Sequence, residues 1–141
     1  MPLKPKLVKE PLKIILDSNA LFVPLQLRID IFEELKLLLN AKFEPVLLSP
    51  ILEELRKLAR EGSVKMQKDA GYALKLAERC RVVHLKEPAG TSTDDAIVKV
   101  AAEWKSPVFT NDKQLRKRLR DINVPVIYVR QKSRLTIDGR L

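Results

Sequence analysis

Five short apolar runs constrain this chain more than anything else in it. They fall at 13–16 (KIIL), 43–48 (FEPVLL), 81–85 (RVVHL), 107–109 (PVF) and 124–129 (VPVIYV). Each is largely apolar along its length instead of alternating. That marks strands covered on both faces, as in a parallel sheet packed between helices. Between the runs, apolar residues recur at helical spacing over about 28–40, 50–61, 63–80, 93–104 and 111–121. Strands alternating with helices predict an α/β domain with a mainly parallel sheet. With 141 residues, no internal repeat and no linker-like stretch, the expectation is a single domain over 1–141. Its ends read as a short basic lead-in, MPLKPKLVKEPLK, and a basic tail, RQKSRLTIDGRL.

Composition narrows the function classes. The one cysteine, Cys80, cannot form an intrachain disulfide, which excludes a secreted disulfide scaffold and points to a cytoplasmic address. No stretch approaches the roughly 20 apolar residues of a membrane helix, and the lead-in lacks the apolar core of a signal peptide. No membrane partner is expected. A net charge of +9 suggests a polyanion instead, nucleic acid before any other.

In doubly wound sheets, ligands bind beyond the carboxyl ends of the strands. Acids stand there repeatedly. Asp17 ends the first run and is followed by Ser18 and Asn19. The second run leads into PILEELRKLAREG, whose apolar stripe is Ile51, Leu55, Leu58 and Ala59. On that wheel Glu53 faces solvent and Glu54 lies at the stripe's edge. The loop KEPAGTST leads into DDAIVKVAAEW, with Thr91 and Asp94 at the spacing of a helix cap. The fourth run ends Phe109-Thr110, then Asn111 and Asp112 open the helix DKQLRKRLRDI. A lone aspartate at a helix start is usually a cap. Four acids at one topological place are not accounted for that way.

If the sheet is parallel, Asp17, Glu54, Asp94 or Asp95, and Asp112 converge. Four unpaired carboxylates would repel one another, so a cation must neutralise them. An all-oxygen donor set selects a hard ion, Mg2+ or Mn2+, one or two of them. His84 and Cys80 fall outside the set. Acid-held metal in a basic protein suggests phosphodiester chemistry. The last helix adds a basic face, Lys113, Arg116, Lys117 and Arg120, opposite Leu115, Leu119 and Ile122, and the tail adds Arg130, Lys132 and Arg134. These are candidate contacts to a nucleic-acid backbone.

The pattern resembles a PIN-domain ribonuclease. The likeness rests on ILDSNAL, SPILEELRKL, STDDAIVKVA and VFTNDKQLRKRL, in order over nearly the whole chain. Within that family, the paired TDD and the ending VPVIYVRQKSRL are most similar to archaeal relatives of the small-subunit rRNA-processing endonuclease. The VapC-type toxins, controlled by a paired antitoxin, form the second branch. The resemblance implies a three-layer fold with a five-stranded parallel sheet in the order 3-2-1-4-5. It also implies Mg2+- or Mn2+-dependent endonuclease cleavage of RNA, leaving 5′-phosphate and 3′-hydroxyl ends. Carried over by position, Asp17, Glu54, Asp95 and Asp112 would hold the metal, with Asp94 a second contributor at the third place. The helical wheel, by contrast, sets Asp94 nearer the apolar stripe than Asp95. Ser18, Asn19 and Thr110 would orient the carboxylates.

Three other readings compete. An RNA-binding module without turnover has no use for repelling acids. A receiver-like domain would need an aspartate after the third strand, where LKEPAG stands. A phosphatase of similar fold would carry DxD, but two after Asp17 comes Asn19. Partners implied are an rRNA precursor, with a ribosome-assembly protein or an antitoxin. In the helix around Ile31 to Leu39, Leu37 is left over from the core face, which allows either a homodimer contact or extra burial.

Overall fold

The computed structural model describes residues 10–88 and 90–141. Most of the basic lead-in lies outside them. The elements run β1 (Leu12–Leu16), α1 (Ser18–Leu27), α2 (Ile31–Leu39), β2 (Phe43–Leu48), α3 (Ser49–Glu61), α4 (Val64–Ala77), β3 (Arg81–Val83), α5 (Thr93–Trp104), β4 (Val108–Phe109), α6 (Lys113–Asp121), β5 (Val126–Arg130) and β6 (Arg134–Asp138). One six-stranded sheet has the order β3-β2-β1-β4-β5-β6. Strands β1 to β5 pair in parallel, and β6 closes the edge antiparallel to β5.

The central strands are dry because their residues are apolar on both faces. Ile14, Ile15, Leu16, Val46, Leu47, Leu48, Val108 and Phe109 have no solvent exposure. The helices press Leu21, Ile51, Leu55, Ile97, Leu115 and Leu119 onto them, all equally buried. Each such side chain contributes about 1.5–3 kcal/mol on leaving water. From β1 the chain steps to β2 and β3 on one side, then crosses back to β4 on the other. The carboxyl ends of β1 and β4 therefore border the switch point, where a doubly wound sheet opens a crevice.

Four sequence expectations need correction. The basic tail carries a sixth strand, Arg134–Asp138, antiparallel to β5, added to the five parallel strands whose order, 3-2-1-4-5, is as expected. A helix, α1, follows Asp17 at once, with Asp17 as its N-cap. The helix expected from residue 28 begins at Ile31, because Arg28 takes a left-handed φ of 56° and ends α1 while Asp30 caps α2. The cap of α5 is Ser92 and not Thr91. That one-residue shift decides which way the paired aspartates point.

Candidate active site

Asp17 is fixed by the turn from β1 into α1. Its Oδ1 accepts a hydrogen bond from the Ser18 amide at 2.8 Å. Its Oδ2 accepts from Asn19 Nδ2 at 2.7 Å and from the Thr110 hydroxyl at 2.8 Å. A carboxylate has about four acceptor positions, so one remains, on Oδ1. Thr110 ends β4, the strand beside β1, and is fully buried. Its hydroxyl oxygen also accepts from the Asp112 amide at 3.1 Å, which ties the fourth acid to the first.

Burial, foremost, pushes the Asp17 carboxyl above the ordinary carboxylate range. The Thr110 and Ser18 hydrogen bonds oppose this, while the negative charges of Asp94 and Glu54 add to it. Asp94 is raised as well, first by burial, then by Asp112, Glu54 and Asp95, against Arg118. These mutual effects link Asp17, Glu54, Asp94 and Asp112 into one electrostatic group at the carboxyl edge of the sheet. Glu54 enters from α3, half-buried, and accepts a long hydrogen bond from the Thr93 hydroxyl at 3.4 Å. Glu53 points to solvent and pairs with Arg56 at 2.9 Å.

Asp95 lies elsewhere. With Ser92 as cap, the Asp95 amide donates to Ser92 Oγ at 3.0 Å and its side chain is directed outwards. Its carboxylate meets Arg118 Nη2 at 2.8 Å, and that contact holds it below the ordinary range. The acids gathered by the fold are thus Asp17, Glu54, Asp94 and Asp112.

Carboxylates from Asp17, Glu54, Asp94 and Asp112 would suit a hard divalent ion, which prefers oxygen donors. Burial first, and the neighbouring negative charges after it, disfavour the ionised form of Asp17, and a bound cation would offset both. Among the described residues, no group of three or more His, Cys, Asp or Glu is already arranged to hold an ion. His84 is exposed. Cys80 lies before β3, at the opposite end of the sheet, and burial pushes its thiol up to about 12.

The basic residues divide in a way their helical spacing does not reveal. Arg116 lies over the Tyr128 ring, 3.8 Å from its centre. Arg120 binds Asp138 of β6 at 3.2 Å. Lys113 and Lys117 are exposed and, among the described residues, in no ion pair. Arg130, Lys132 and Arg134 stand exposed on the hairpin that joins β5 to β6.

Two residues escaped sequence reasoning. Asn111 accepts from the Val129 amide at 2.8 Å, and its own amide donates to Asn19 Oδ1 at 3.0 Å. It splints β5 to the turn that carries Asp17. Its only signal was its place next to Asp112. Arg118 had a clearer one: it falls at helical spacing among Leu115, Leu119 and Ile122, a charge on the core stripe.

Residues 14–132 match a family model described as a PIN like domain. The chain belongs to the PIN-like domain family. Among curated PIN relatives, ribonuclease VapC4 of Methanocaldococcus jannaschii is 36% identical over 128 residues, covering 90% of this chain and 97% of that protein. The rRNA-processing protein fcf1 of Schizosaccharomyces pombe is 34% identical over 123 residues, covering 84% of this chain. The chain spans only 59% of that longer relative. A solved structure of the PIN domain endonuclease Utp24 superposes with a TM-score of 0.78 at 32% identity, over 93% of this chain and 94% of that one. Both branches anticipated from the sequence are represented.

Proposed function

We propose that this PIN domain is a divalent-metal-dependent endoribonuclease acting in ribosomal RNA processing. The observation that carries the proposal is the group of four acids, Asp17, Glu54, Asp94 and Asp112, at the switch point of a sheet whose relatives include named ribonucleases. Asp17 would be the anchoring ligand, using the Oδ1 position its hydrogen bonds leave open. Asp112 would join it from the N-cap of α6, Glu54 from α3 and Asp94 from α5. One or two Mg2+ or Mn2+ ions, when bound, would supply a nucleophilic water at neutral pH and neutralise charge at the departing 3′ oxygen. Asn19 and Thr110 keep the Asp17 carboxylate in one orientation, which spares the site reorganisation during the reaction. Exposed Lys113, Lys117 and the hairpin cations Arg130, Lys132 and Arg134 would hold the RNA backbone electrostatically.

Asp95 is proposed here as a partner of Arg118 and not as a ligand. The family correspondence selects Asp95; burial and electrostatic neighbours favour Asp94. The partners proposed are an rRNA precursor, with a ribosome-assembly protein. The length match to VapC4 favours a second reading, a VapC-type toxin ribonuclease under control of an antitoxin.

The test is cleavage of an end-labelled RNA spanning a small-subunit processing region, with Mn2+, Mg2+ or EDTA, using wild type and Asp17→Asn. Discrete metal-dependent cuts, lost in the variant while RNA binding persists, are expected. Tight binding without metal-dependent cutting would instead leave a binding module. Growth arrest on expression, relieved by a neighbouring gene product, would favour the toxin reading.

A further inference from the structure

Arg118 is the cation of α6 that stands against the first turn of α5. Its Nη2 meets Asp95 Oδ1 at 2.8 Å, and its charge reaches Asp94. The other arginines of α6 are committed elsewhere, Arg116 to the Tyr128 ring and Arg120 to Asp138. The Arg118 side chain is 46% exposed and its carboxylate partner 56%. Among the described residues the guanidinium makes this one hydrogen bond. Most of a five-donor fork is therefore free. An ion pair this exposed is worth little, so an incoming anion of better geometry can displace or share it.

We propose that Arg118 binds a phosphate of the RNA at the rim of the acid group, with Asp95 serving as the counter-ion that parks the guanidinium when substrate is absent. The inference rests on the reading of the site as a ribonuclease centre. The physical need is local. A phosphodiester approaching Asp17, Glu54, Asp94 and Asp112 meets negative charge, and a planar fork at the rim can take two phosphate oxygens at once. Lys113 and Lys117, earlier on α6, would attract the polymer, and Arg118 would fix one phosphate relative to the acids.

Cleavage and binding of a fluorescein-labelled RNA hairpin separate the possibilities. Binding is read in the Asp17→Asn background, so that cutting does not intrude. Arg118→Ala is expected to lower kcat/KM by about 10- to 100-fold, weaken binding, and reduce the salt slope of binding by about one. Arg118→Lys should recover the salt slope but only part of the rate, since the charge returns without the fork. Asp95→Asn, which frees the guanidinium, should leave RNA binding and its salt slope at least as strong as before, and Lys68→Ala, which removes an exposed charge on α4, should change neither reading. An Asp95→Asn variant whose RNA binding and salt slope fall as far as those of Arg118→Ala would overturn the proposal, because Arg118 would then act only through Asp95. Equal effects of Arg118→Ala and Lys68→Ala would overturn it too. Should the Ala variant not fold, Arg118→Gln replaces it, with thermal melting as the check. A wild type that binds but never cuts refutes the nuclease reading alone, and the salt slope still judges Arg118.

Discussion

Asp94 and Asp95 are neighbours with opposite surroundings. Ser92 caps α5, so the third helical residue, Asp95, turns outwards to Arg118, while Asp94 stays half-buried facing Glu54 and Asp112. Asp94→Asn is therefore expected to reduce single-turnover cleavage at least about 100-fold, whereas Asp95→Asn should retain most of it; equal losses would return Asp95 to the ligand set. Asn111 makes a second residue-scale test. Replacing it with Ala leaves the Val129 amide without its partner, costing about 1–3 kcal/mol in a urea melt, and loosens the turn holding Asp17, so cleavage should fall with stability. At this scale the sequence was only partly legible. Asp17, Glu54 and Asp112 could be read because each follows an apolar run. The choice within Asp94-Asp95 could not be fixed, because Thr91, Ser92 and Thr93 are all competent caps and each would set a different register.

The elements that sequence reasoning missed lie where turn chemistry disguised them. Asp17-Ser18-Asn19 reads as a turn, yet a single residue separates β1 from α1 because Asp17 ends the strand and caps the helix at once. The hairpin between β5 and β6 turns through Gln131 and Lys132, with φ of 54° and 56°. Such turns favour Asn and Gly, so RQKSR gave no hairpin signal. The alternation of Leu135 and Ile137 in β6 was the remaining clue. Leu135 is buried and packs with the core. Leu135→Ala should cost about 2–4 kcal/mol in a urea melt and expose the hairpin to protease. A near-zero change would mean that β6 is an appendage. By contrast, β1 to β5 and helices α2 to α6 were legible within a few residues, since dry strands and amphipathic helices leave strong periodic patterns.

Across the whole molecule, a net charge of +9 coexists with an acidic crevice. The basic surface gathers a polyanion, and the crevice needs a small cation before that polyanion can approach. Asp17 and Asp94 have raised proton affinities in the metal-free fold. Their contribution to stability is present below the ordinary carboxylate range and is lost as pH rises through their folded values. Asp95, lowered by Arg118, runs the other way and loses its contribution as pH falls. A divalent ion favours the ionised forms of the crevice acids. The Mn2+-induced rise in Tm, about 5–10 °C at saturating ion, should therefore be large at pH 7.5 and much smaller at pH 4.5. Comparing each pH with and without metal cancels the other acids. Whether Asp17, Glu54, Asp94 and Asp112 form one ion site is read by calorimetric titration of Mn2+. Wild type and Asp95→Asn should bind alike, while Asp17→Asn and Asp94→Asn should lose the isotherm. Unchanged Mn2+ binding in Asp17→Asn would contradict the account.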